Sequence, residues 1–215
     1  MPDFVDRPRR ASAPPPSPPL LNPQLPLAPQ LPPVHVVDLM TAAGSTVFGA
    51  VWRGCEAKII EIPSLTDSRP EFKTTYDIEP HAEVAGFDDS GWEVVPPDDL
   101  GGRRGGGQIS FFWYRTSLTI PQEATGFATA GAMAVLRINI DDYAEIWIDH
   151  ELPRLAGRPS PNLIQGFNMP NRIVLGASVS PGQKFDVAVF AINGPISAAP
   201  LNFLWFREAK VEFYR

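Results

Sequence analysis

The chain has 215 residues, of which 44% are hydrophobic and 20% charged, and a formal net charge of −6. That length suits one all-β domain with appendages, and the composition supports a buried core and excludes a disordered chain. The negative balance, with basic runs only at Arg7 to Arg10 and Arg103-Arg104, argues against a nucleic-acid partner, because phosphate binding needs a clustered basic surface.

Residues 1–33 hold about half of the 25 prolines, as in "APPPSPPLLNPQLPLAPQLPP". Proline fixes φ and lacks an amide donor, so this stretch predicts an extended arm or linker, with the folded domain spanning 34–215. Leu20, Leu21, Leu25, Leu27 and Leu31 offer apolar contacts that a solvated linker does not need. An arm draped over the domain or a neighbouring subunit, hence a homo-oligomer formed through it, is favoured over a PxxP ligand for another protein. Arg9-Arg10 is followed by proline and not by the apolar stretch of an export signal, and no segment reaches the ~18 apolar residues of a membrane span. The expectation is a cytoplasmic chain without membrane contact.

"HVVDLMTAAG" (35–44) predicts a short helical turn with Asp38 and Gly44 at its ends. After it the signals are β: "AVWRGCEAKIIEI", "ISFFWYRTSLTI", "MAVLRINI", "AEIWID", "NRIVL", "KFDVAVFAI" and "LWFREAKVEFY" are rich in β-branched and aromatic residues and punctuated by turns. "TGFATAGA" and "LAGRPSPN" read as loops. Such spacing predicts an antiparallel sandwich. Cys55, the one cysteine, can form neither an internal disulfide nor a cysteine metal cage, and between Trp52 and Ile59 it reads as a small core residue.

"DDLGGRRGGG" (98–107) lacks the Lys-Ser/Thr ending of a phosphate loop and precedes a strand, so it reads as a surface loop. Arg103 and Arg104 are its candidates for gripping a carboxylate or a sugar hydroxyl. In "ISFFWYR" one phase carries Phe111, Trp113 and Arg115 and the other Phe112 and Tyr114, which predicts that both faces of this strand are covered. Trp113 is either core or a stacking platform for a flat ligand, an ambiguity that Trp92 and Trp205 share; Arg115 is a further ligand-binding candidate.

From Ile138 the twofold count places Ile140, Ala144, Ile146 and Ile148 on one face and Asn139, Tyr143, Glu145 and Trp147 on the other. "DDY" (141–143) joins two strands, with a bulge at Asp142 setting where its carboxylate points. Asp149-His150 falls where a two-residue hairpin turn sits, and both residue types tolerate positive φ, so His150 reads as a turn residue before a general base. Glu145 and Asp149 fit a solvated outer face, whereas Asp141, Asp142 and Tyr143 at a strand junction suit binding. Asn193, ending an apolar strand before Gly194, is a turn residue or a ligand contact. His35, His81 and His150 have no paired spacing and no acidic ladder appears, so neither a metal site nor a cofactor is expected. A G-x-S-x-G nucleophile motif is absent.

"FDDSGWEVV" (87–95), "FFWYRTSLTIP" (111–121), "LRINIDDYAEIWIDHELPR" (136–154), "GFNMPNRIVL" (166–175) and "PGQKFDVAVFAING" (181–194) stand in the order of the galactose-binding-like jelly roll. The pattern resembles the sugar-binding domain of glycoside hydrolase family 2. It is more similar still to the accessory module that precedes some bacterial gluconolactonase-type propellers, where "INGP" and a closing element like Trp205 to Tyr214 recur. The resemblance covers roughly 45–215 and implies a jelly roll of about eight strands that binds or assembles without catalysing. A structural calcium, which some jelly rolls of this type hold through loop carboxylates and carbonyls, stays open. Two departures stand out: Asp149-His150 replaces an Asn-Gly-like pair, and no propeller follows in this sequence.

The expectation is therefore a jelly-roll module binding a small molecule, a carbohydrate or a related hydroxylated or cyclic ligand, through Arg103, Arg104, Trp113, Arg115, Tyr143 and Asn193, with Asp142 in the pocket. The competing expectation is an enzyme for lactone hydrolysis, cyclisation or isomerisation, with Asp142 or Glu145 as general acid/base. The two differ in what they need. Catalysis calls for a buried carboxylate of shifted pKa beside a pocket, and sugar binding for an open aromatic face.

Overall fold

The computed structural model describes residues 27–64, 74–107, 109–152, 167–194 and 201–215. Leu20, Leu21 and Leu25 of the arm, the "LAGRPSPN" loop and Pro195 lie outside the described residues. In chain order the elements are β1 (His35–Asp38), α1 (Ala42–Val47), β2 (Trp52–Glu56), β3 (Lys58–Pro63), β4 (Thr74–Glu79), β5 (Glu93–Val95), a 3-10 turn (Pro97–Asp99), β6 (Ser110–Thr119), β7 (Glu123–Ala124), β8 (Phe127–Ala128), β9 (Met133–Ile140), β10 (Tyr143–Ile148), β11 (Asn171–Gly176), β12 (Lys184–Asn193) and β13 (Phe206–Tyr214).

These strands make an antiparallel β-sandwich. One layer has the order β1-β13-β9-β11 and the other β10-β12-β6-β2-β5. The twofold side-chain rhythm sends Leu136 and Ile138 of one layer and Tyr114, Leu118, Ile146 and Val189 of the other into a common core, all fully buried. Burying each such side chain contributes about 1.5–3 kcal/mol relative to leaving it in water. β6 and β12 pair over ten residues, from Thr119 opposite Lys184 to Ser110 opposite Asn193. Both phases of "ISFFWYR" are covered, as its pattern predicts: Phe112 and Tyr114 face the core, and Trp113 packs on the outer side with Ala82, Ala188 and Phe190.

Three expectations shift. "AVWRGCEAKIIEI" is two strands, because after Ala57 the chain leaves the large sheet and β3 pairs with β4 instead. His35–Asp38 is a strand on the edge of the four-stranded sheet, and the helix begins only after Thr41, whose hydroxyl accepts the Gly44 amide at 3.0 Å. Gly44 lies within the helix and does not end it; a Cβ there would stand 1.8 Å from the Asp38 carbonyl oxygen. Cys55 is half-buried and not core.

The described end of the arm lies on its own domain. Ala28 packs on Val135, Val174 and Tyr214 on the outer face of the four-stranded sheet, and Arg172 donates to the Pro29 carbonyl at 2.8 Å. No helix among the described residues is long and apolar enough to cross a membrane.

Candidate functional site

β9 belongs to one sheet and β10 to the other, so the chain must change layers between Ile140 and Tyr143. Asp141 continues β9, its amide donating to the Trp205 carbonyl at 3.1 Å; Asp142 already belongs with β10, its amide donating to the Ile192 carbonyl at 3.1 Å. The peptide between them is cis. The change of layers places two consecutive carboxylates between the sheets, 7% and 5% exposed.

Each carboxylate is handled differently. Asp141 accepts from Arg207 at 2.7 Å through one oxygen and from the Asn193 amide at 3.3 Å through the other, and Asn193 also donates to the Phe203 carbonyl. Asp142 accepts from the Gly194 amide at 3.2 Å. Burial pushes the Asp142 carboxyl above the ordinary range. The Gly194 amide and the Arg207 charge pull it back, and the neighbouring Asp141 charge adds to the rise. Asp141 thus ties the mouth together, while Asp142 keeps a single backbone donor.

Trp205 stands half-buried beside this pair. The guanidinium carbons of Arg207 and Arg103 lie 5.5 and 5.4 Å from its ring centroid, and Arg103 lies 5.9 Å from that of Phe203. Arg103 thereby links the acidic mouth to an open groove of about 380 Å³ lined by Cys55, Glu56, Glu93, Arg104 and Phe112 among others. Backbone hydrogen bonds of 2.9 Å in both directions between Arg104 and Leu204 hold the glycine-rich loop against the segment that carries Trp205.

The structure separates the sequence candidates into two groups. Asp142, Asn193 and Arg103 gather at this end of the sandwich, with Tyr143 exposed next to them and edge-on to Phe167. Arg104 does grip a carboxylate, but it is the protein's own Glu93, reached through both terminal nitrogens at 3.0–3.2 Å. Trp113 is 0% exposed under Phe190 and presents no free face for stacking. Arg115 is spent on the segment above it, donating to Asp89 at 3.0 Å and to the Ala82 carbonyl. Glu145 lies on the outer face of the five-stranded sheet near Glu83, apart from Asp142. Its carboxyl is pushed up by burial, and the Glu83 charge adds to the rise.

Asp149 and His150 have φ of 49° and 71° and close the predicted two-residue turn, with Ile148 and Glu151 exchanging backbone bonds of 2.9 and 3.0 Å. The His150 ring is 3.1 Å from the Glu83 carbonyl, a structural contact. Among the described residues no three His, Cys, Asp or Glu side chains are grouped to hold a metal. What the sequence did not single out is Arg207: in "LWFREAKVEFY" it is one polar residue among several, and in the structure it falls at the register irregularity between Phe206 and Glu208 where β13 pairs with β9, with its guanidinium on Asp141.

No protein-family model matches the chain, and no curated protein matches it. Among solved structures it is similar to a β-glucosidase from Kluyveromyces marxianus in complex with glucose, with TM-score 0.29 and 13% identity over 73% of this chain and 15% of that one. It is also similar to the GH31 α-xylosidase from Xanthomonas citri, with TM-score 0.29 and 10% identity over 85% of this chain and 18% of that one. The chain spans less than a fifth of the length of either.

Proposed function

We propose that this chain is a galactose-binding-like jelly-roll module that holds a small hydroxylated or cyclic ligand, a carbohydrate or a close relative, at the β9–β10 end of the sandwich. One observation carries the proposal: a half-buried tryptophan, two guanidiniums, a buried carboxyl and a carboxamide converge at a single rim, brought there by strand ends and, for Arg103, by the glycine-rich loop. Sugars are bound by such planar polar groups, which pair with vicinal hydroxyls, together with an aromatic side chain against the ring's C–H face. Asp141 and Asn193 position the rim; Asp142, Arg103, Arg207 and Trp205 are the groups that meet the ligand, with Tyr143 at its edge.

Calorimetric titration with a panel of neutral and acidic hexoses tests the proposal. Binding that Trp205→Ala and Asp142→Ala weaken at least about tenfold is the expected result; no binding by any member contradicts it. The raised pKa of Asp142 favours a second reading, a lactone-opening, cyclising or isomerising enzyme with Asp142 as general acid/base. Asp142→Asn separates the two: lost turnover with retained affinity marks catalysis.

A further inference from the structure

We infer that the groove beside the glycine-rich loop takes an acid group, so that the ligand is a carboxylate-bearing sugar and not a neutral one. This rests on the proposed sugar binding for the ligand's hydroxyls, but the acid subsite stands on its own observations. Among the described residues Arg103 has aromatic neighbours and no acidic partner, whereas Arg104 and Arg207 are neutralised by Glu93 and Asp141. A guanidinium held over two rings, without an acidic partner among the described residues, is placed to bind an oxyanion.

Arg104 lines the same groove, but its terminal nitrogens are held by Glu93 and it lies against the buried Tyr114 hydroxyl, so among the described residues the cationic side chain of the groove without an acidic partner is Arg103. Glu56 also lines the groove and opposes an anion, which supplies a control of opposite sign.

The test compares galacturonate, galactose and propionate on the full chain. Galacturonate is expected to bind about tenfold or more tightly than galactose, as a charge-assisted contact implies. Arg103→Ala should bring that ratio close to one, Arg103→Lys should restore part of it, and Glu56→Gln should widen it. Raising salt from about 50 to about 500 mM should weaken galacturonate more than galactose. If propionate binds in an Arg103-dependent way and galactose does not bind, the acid subsite stands and sugar binding falls. If galactose equals galacturonate, or Arg103→Ala leaves their ratio intact, the acid subsite is overturned while sugar binding stands. Binding by none of the three overturns both.

Discussion

Asp141 and Asp142 are adjacent in sequence and opposite in chemistry, because the layer change between them gives each a different set of donors. Asp141 has a charged partner and a carboxamide; Asp142 has one backbone amide and a like charge beside it. Asp141→Ala should therefore destabilise by about 1–3 kcal/mol in urea unfolding, mainly by leaving the buried Asn193 short of an acceptor; Arg207 is 41% exposed and contributes little. Asp142→Asn should do the reverse. The folded chain holds the Asp142 proton more tightly than the unfolded chain, so the ionised carboxyl costs stability at neutral pH, and this cost disappears as pH falls toward the ordinary value of 3.8. The variant should melt above the wild type at pH 7, with the gap closing in acid; equal melting at every pH contradicts this placement. His81 gives a second titration. Its hydrogen bond to Glu83 raises its pKa above 6.5, so the stabilisation is full below that value and is lost as pH rises through the folded-state pKa. An NMR titration should show the His81 ring releasing its proton later than in the unfolded chain.

At the level of elements, local chemistry legible in the sequence set the turns, and contacts between distant segments set the rest. Asp149-His150 was readable because few residues tolerate two successive positive φ values. A β-branched residue there meets its own backbone, so His150→Val should cost about 1–2 kcal/mol, partly through the lost Glu83 contact. Gly44 was legible as a special position but not in its role. Its need is the close approach of the Asp38 carbonyl, which no local pattern announces; Gly44→Ala should cost roughly 1–3 kcal/mol or prevent folding. The same limit explains the site. Asp142 and Asn193 could be named because one stands at a strand junction and the other closes a strand before a turn, whereas Arg207 enters only through the irregular pairing of β13 with β9 between Phe206 and Glu208. Trp113 and Arg115 share their strand's rhythm with any ligand-facing pair, and what covers them, the segment of Ala82, Phe87 and Asp89, joins them only in three dimensions.

Across the whole molecule, the two layers bury each other, local segments cover parts of the outer faces, and the β9–β10 end is the one we propose for recognition. The arm is one such segment: Ala28 and Pro29 close over Val135, Val174 and Tyr214, where Glu212 also gathers Arg172 and Arg137. If residues 34–215 form the folding unit, as proposed, a chain trimmed to that span should still unfold cooperatively, at a lower urea midpoint and with more dye-accessible apolar surface. Recognition at the β9–β10 end is tested most directly by amide chemical shifts during titration with the acidic and neutral hexoses. Shifts confined to residues 103–105, 141–145, 192–194 and 203–207 are the expected result. Shifts centred instead on 74–92 or on the arm-covered face, with those four segments unmoved, would contradict it.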